Sequence, residues 1–328
     1  MAVQTGLATS HYDLLEKFVT FVTTNAELVS LGQNWQLLKT ETTAFRAIDN
    51  GQTQPSFTSN FVFKYLRAPG LANQDSIYIN ILCHEASTAQ IFNWMILGAT
   101  GYDPTKTFEN QPGTLKTSQA SAYPATSLFT LINSQIQYWF VANGRRAIVV
   151  AKIGGDFFVA YMGLILPYGK PSEYPYPLLI GANGDTLTIG FTSAYLYNFW
   201  NNIYQDSRSM LSINTGFAAQ LGPAASVTDA GQVYAAVWPY SAVRSLGEAG
   251  NIQGNLDGSF TLLPMIFYSR QNGFVAEYGE AHGLYYVPGS GATSLTSEDT
   301  ITIGSDTYLV IQNVDKVSRN DYAALLLK

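Results

Sequence analysis

The sequence predicts a mainly β protein, an antiparallel β-sandwich or barrel-like architecture with an N-terminal helix. Three observations lead there. Five Asn-Gly or Asp-Gly dipeptides punctuate the chain, at Asn50-Gly51, Asn143-Gly144, Asn183-Gly184, Asp257-Gly258 and Asn272-Gly273, and such pairs supply the positive φ values of tight hairpin turns. The apolar runs between turn signals are short, as strands are. Helical periodicity is clear at only one place, near the N-terminus. Many short strands with regular turn signals belong to sandwiches and barrels.

Taken in order, Ser10 precedes apolar residues at Leu14, Leu15, Phe18, Val19, Phe21 and Val22, with Asp13 three residues after the expected cap. This is helix spacing with a wide apolar face. Asn25 is positioned to cap a short second turn that ends at Gly32. From Trp35 onward the signals turn to β, with strands expected at Phe61–Tyr65, Ser76–Leu82 and Gln90–Leu97. Thr100–Ala125 carries Gly101, Pro104, Pro112, Gly113 and Pro124 and reads as a long connection. It suggests an N-terminal helix-plus-β region over 1–110 and a sandwich-type region over 111–328, a single domain being the alternative. A short helix is expected at Ser127–Ser134.

Tyr138–Gly181 then reads as an antiparallel meander turning at Asn143-Gly144 and Gly154-Gly155. Asn183-Gly184 predicts a further hairpin. Strands are expected at Thr186–Tyr197, Val233–Trp238, Ser259–Tyr268, Phe274–Tyr278, Leu284–Val287, Thr300–Ile303, Tyr308–Ile311 and Tyr322–Leu327. The last, Tyr-Ala-Ala-Leu-Leu-Leu, is apolar on both faces and so needs cover on both. That predicts a central strand rather than a loose tail.

Charged residues make up only 12% of the 328, against the roughly 25% usual for globular chains. Tyr (21 residues), Ser, Thr, Asn, Gln and Gly stand in their place. Permanent interfaces have such a palette, because their centres are depleted in Lys, Glu and Asp. A β-rich secreted enzyme or lectin is the competing source of it. Net charge is −6, from 23 acidic and 17 basic residues, and no basic run exceeds Arg145-Arg146. Phosphate backbones call for a basic stripe, so nucleic acid is not an expected partner. Cys83 stands alone, which excludes an intrachain disulfide. The first residues lack the basic and apolar regions of a signal peptide, and no apolar window is long enough for a spanning helix. A cytosolic origin and no membrane partner are expected.

Chemistry-bearing patterns are sparse. His84-Glu85 opens like a zinc-protease helix motif, but Thr88 stands where the second histidine belongs. Ser290 lies between Gly289 and Gly291, yet Pro288 and Ala292 occupy the positions where a nucleophile elbow needs glycine. The densest ionisable cluster is Glu277, Glu280 and His282, in EYGEAHG, where a cation site or hydrolytic pair competes with polar decoration of a turn at Glu280–Gly283. Trp139, Trp200 and Trp238 offer either a sugar-stacking platform or ordinary core. The expectation is no enzyme, with no catalytic residues, metal ligands or cofactor. The candidate site is instead an interface. Tyr168, Tyr174, Pro175, Tyr176 and Pro177 form a stiff, aromatic, nearly uncharged segment, and proline-fixed loops lose little entropy on docking.

Several segments carry a family likeness. NLDGSFTLLPMIFYS (Asn255–Ser269), GLYYVPGSG (Gly283–Gly291) and TYLVIQNVDKVSRNDYAALLL (Thr307–Leu327) resemble virion structural proteins of tailed bacteriophages. WFVANGRRAIVVAK (Trp139–Lys152) and PYGKPSEYPYPLLIG (Pro167–Gly181) fit the same group, and LVSLGQNWQLL (Leu28–Leu38) fits more loosely. The resemblance covers most of Trp139–Lys328 and is weak over the first 138 residues. At Asp315-Lys316 the chain departs from the aromatic and Arg expected there. The resemblance implies a structural part of the tail, baseplate or tail fibre, assembled in host cytoplasm with copies of itself and other virion proteins. A neck or collar component and a carbohydrate-binding or depolymerising module are the alternatives. It brings no catalytic residues with it.

Overall fold

A computed structural model describes residues 1–43, 61–86, 91–116, 126–184, 198–200, 209–214, 217–221, 234–239, 261–271, 274–287, 295–312 and 322–328. The chain is mainly β, in antiparallel sheets, with one helical segment near its start. It opens with β1 (Ala2–Ala8), followed by α1 (His11–Thr24) and α2 (Ala26–Ser30). The Ser10 hydroxyl accepts from the Asp13 N–H at 3.2 Å, and the Asp13 carboxylate in turn accepts from the Thr9 N–H at 2.8 Å. Asn25 caps α2 by accepting from the N–H groups of Glu27 and Leu28. These two caps fix where the helical segments begin.

Five strands form the smaller sheet: β2 (Gln36–Thr43), β3 (Phe61–Ala68), β4 (Ile77–Ala86), β5 (Ile91–Ala99) and β6 (Thr126–Leu131), in that order. β6 replaces the short helix expected at Ser127–Ser134. All six of its residues are buried, and a short apolar run has no period that separates helix from strand. Residues 100–116 cross the sheet's outer face, where Phe108 packs on Phe63 and Tyr65. β5 and β6 pair from either side of that connection, Phe92 opposite Leu131.

The meander follows as β7 (Ile136–Ala142), β8 (Arg146–Ile153) and β9 (Asp156–Leu164), then β10 (Leu166–Pro167) and β11 (Leu178–Gly181). At the first turn Asn143 Oδ1 accepts from the N–H groups of Arg145 and Arg146. Glycine is required at 144 by close approach rather than by φ, since a Cβ there would lie 1.7 Å from the Gly70 carbonyl oxygen. The sheet continues through β12 (Met210–Asn214), β13 (Phe217–Leu221), β14 (Tyr234–Trp238), β15 (Leu263–Gln271), β16 (Phe274–Val287), β17 (Thr300–Ile303), β18 (Asp306–Gln312) and β19 (Tyr322–Leu326). Its fourteen strands run β1-β7-β8-β9-β11-β12-β13-β14-β15-β16-β19-β18-β17, with β10 pairing β16 off that path. β9 runs almost directly into β10, so the stretch from β9 round to β16 closes on itself and is barrel-like. β19 lies between β16 and β18, the central place predicted for it.

The strands of the meander are apolar on both faces because they separate two cores. Phe140, Val149, Ala160 and Ile180 face α1 and the smaller sheet, whereas Val141, Val150, Val159 and Leu179 face the C-terminal strands. The single run of hydrophobic letters is thus two alternating sets superimposed. Asn183-Gly184 does not turn a hairpin within the described residues. The Asn183 amide accepts from the Thr130 N–H and donates to the Thr130 carbonyl, each at 3.0 Å, and the Gly184 N–H donates to Leu128. The pair finishes the edge of β6. Asn50-Gly51, Asp257-Gly258, Asn272-Gly273 and the strand expected at Thr186–Tyr197 lie outside the described residues.

Candidate functional site

The ionisable cluster of EYGEAHG is not a turn. It lies inside β16, where a bulge interrupts pairing with β15: Ile266 is opposite Glu280 and Pro264 opposite Tyr285, so Met265 alone faces residues 281–284. At the same place β16 exchanges its other neighbour. Gly279 and Glu280 pair with β10, and Leu284 onward with β19. The left-handed φ values of Gly279 (147°) and Gly283 (90°) let the backbone make this change. Turn chemistry and bulge chemistry use the same residues, which is why the sequence suggested a turn.

The bulge carries His282 to Arg146 of β8, whose Nη1 donates to His282 Nδ1 at 2.9 Å. Arg146 is 2% exposed. Two glycines make its slot. Gly163 stands opposite it on β9, where a Cβ would lie 2.5 Å from the Arg146 Cα, and a Cβ on Gly283 would lie 2.7 Å from Nη2. Burial, with Arg146 and Arg145 adding to it, lowers the His282 pKa to about 4. The ring is therefore neutral near pH 7, accepts through Nδ1 and carries its proton on Nε2. Desolvation likewise lowers the pKa of Arg146 and raises that of neighbouring Tyr161 to about 12. Chemically the pair is a polar fastening between the meander and the C-terminal strands. Glu280 does not join it: its Oε2 accepts from the Tyr168 hydroxyl at 2.9 Å. Glu277 is exposed.

The predicted interface segment divides into anchors and an outer face. Tyr174 is 7% exposed and its hydroxyl donates to the Ser212 carbonyl. Tyr176 donates to the Ala99 carbonyl at 2.7 Å, across to the smaller sheet. Pro177 is buried. Tyr174 and Pro177 are buried within the chain itself and Tyr176 is half-buried against it, so these residues serve mainly as anchors. Tyr168, 46% exposed, and Pro175 face outward, and Leu166 of β10 and Val275 of β16 are exposed as well. Burial, Glu280 and Glu277 push the Tyr168 phenol up to about 12.

A second polar group lies beneath the start of α1. His11 is fully buried, with its pKa lowered by burial to about 4, and buried His84 is lowered to about 3 by burial and by His11. Glu85 Oε2 lies 3.9 Å from His11 Nε2, too far to hold a proton there against desolvation. Lys64, also buried, pairs with Glu16 at 2.7 Å. His84 sits in a strand, and among the described residues no three His, Cys, Asp or Glu side chains are grouped to hold a metal ion. Trp139 and Trp200 are core residues, and Trp238 is half-buried. Nothing local announces the Arg146–His282 contact, whose partners lie far apart in the chain. Arg146 at the head of a mostly apolar strand, RAIVVAKI, was the available signal.

These features define a mainly-β sandwich with a barrel-like C-terminal part, held together by buried polar fastenings. No protein-family model and no curated protein matches this chain.

Proposed function

We propose that this chain is a structural component of a bacteriophage virion, of the tail or baseplate region, assembling through polar-aromatic surfaces into a symmetric oligomer. Its partners in this reading are copies of itself and other virion proteins, without nucleic acid or membrane, and its place is the virion, assembled in host cytoplasm. The resemblance over Trp139–Lys328 carries the proposal. The low charge of the chain supports it, as does the outward face of Tyr168 and Pro175 on an otherwise well-anchored segment. Obligate assemblies bury about 2,000 Å² or more per contact, and sparse charge makes such burial inexpensive. The described groups around His282 hold one another rather than an open reacting position, in keeping with a non-enzymatic role.

The test is recovery of this chain from gradient-purified particles of the phage that encodes it, followed by immunogold labelling. Stoichiometric recovery with label on the tail or baseplate supports the reading. Label at the neck moves it to the collar alternative, and absence from intact particles overturns it.

A further inference from the structure

The two sheets end in four edges, and they are finished differently. β2 carries Lys39 and Glu41, paired at 3.0 Å, and a register shift between Leu37 and Lys39. β6 is closed by the Asn183 amide and Gly184. Charges, bulges and covering groups are the usual devices against unwanted strand pairing. Among the described residues, the two ends of the fourteen-stranded sheet have none of them. β1, AVQTGLA, and β17, TITI, contain no charged residue, and among the described residues neither pairs on its outer side. Both are uncovered: Leu7 is 57% and Ile303 48% exposed, and Thr5, Thr300 and Thr302 are exposed too. The bare edges also lie close together. Gln137, opposite Leu7 in the β1–β7 pairing, reaches Glu298, two residues before β17, at 3.5 Å.

We propose that β1 of one copy pairs with β17 of a second copy, extending the sheet across the subunits. An unpaired strand edge is satisfied by another strand. This chain supplies both halves of the match, with no like charges to oppose them. Because the two edges are neighbours, a two-fold axis pairs β1 with β17 twice and leaves neither bare, which closes the assembly instead of extending it. The inference rests on the self-assembly part of the function proposed above and names the surface that it uses.

The experiment measures the mass of the full-length chain by native mass spectrometry and light scattering. The wild type is expected at twice the chain mass. Thr5→Lys with Leu7→Lys blocks β1, and Thr300→Lys with Ile303→Lys blocks β17. All four sites are exposed, so circular dichroism should be unchanged while each double variant weakens the dimer at least tenfold. Mixing the two variants forms one seam from the two intact edges and one from the two blocked edges, so a 1:1 dimer re-forms on the single intact seam, weaker than wild type but tighter than either variant alone. A monomeric wild type, a dimer indifferent to both blocks, or a mixture that stays monomeric would each overturn the pairing. None of these results bears on recovery of the chain from particles, so the virion reading stands or falls separately.

Discussion

Acid should loosen this fold well above the pH at which carboxylates titrate. His11 and His84 are buried and neutral, with pKa values near 4 and 3 against 6.5 for a free imidazole. The unfolded chain takes up protons as the pH falls through 6.5, whereas the folded chain does not until about 4 or below. Stability is therefore fully present above 6.5 and is lost as the pH falls towards 4. Each unit of pKa difference corresponds to 1.36 kcal/mol, so each histidine should cost about 2 kcal/mol between pH 7 and pH 5. Together they remove about 4 kcal/mol, a large part of the 5–15 kcal/mol of a typical domain. Half-buried His282, also lowered to about 4, adds a smaller loss in the same window because solvent screens it, whereas Asp13 and Asp103, whose pKa values are lowered, act below it. Urea unfolding at pH 7, 6 and 5 measures the effect, and His11→Gln should flatten the slope by roughly a third to a half. A loss under 1 kcal/mol across this window, or an unchanged slope in the variant, would refute the placement of these rings.

Gly163→Ala should destabilise by at least 3 kcal/mol, because φ of 136° and backbone atoms 2.3–2.5 Å from the new Cβ leave no room for adjustment; thermal unfolding checks it. Leu325→Ala, in the core between the meander and the C-terminal strands, should cost about 2–5 kcal/mol in urea, and a chain ending before Tyr322 should be insoluble on expression. Tyr174→Phe should cost about 1 kcal/mol or more by removing its buried hydrogen bond to the Ser212 carbonyl, whereas Tyr168→Phe, on the surface, should change stability by under 0.5 kcal/mol. Equal losses in the two variants would contradict the division of that segment into anchors and outer face.

What was legible in the sequence was what local chemistry dictates. Ser10 and Asn25 cap helices as their hydroxyl and amide suggest, and the meander follows from short apolar runs broken at 143–144 and 154–155. Tyr322–Leu326 revealed its central place through apolar residues on both faces. The misreadings share a cause. Ser127–Ser134 and Glu280–Gly283 each have one local meaning in isolation and another once a distant strand arrives: β5 beside the first, Arg146 against the second. β1 went unseen because AVQTGLA takes its strand character from pairing with residues 136–142. The tyrosine segment was recognised as special, but proline stiffness does not say which rings turn inward.

The register of β1 also has a bearing on how the chain comes off the ribosome. Ala2 pairs with Ala142 and Ala8 with Ile136, so β1 must wait for β7 before it has a strand to pair with. The joint between Leu166 and Glu280 waits longer still. Meanwhile β2 to β6 pair successively with nearest neighbours and form a unit that can organise as it emerges. Pairings so distant in sequence close expensive loops, and proteins dominated by them fold in milliseconds to seconds. Translation at about 5–20 residues per second is slower than that. The pace of synthesis, rather than any intrinsic barrier, then sets how long β1 stays without a partner in a crowded cell.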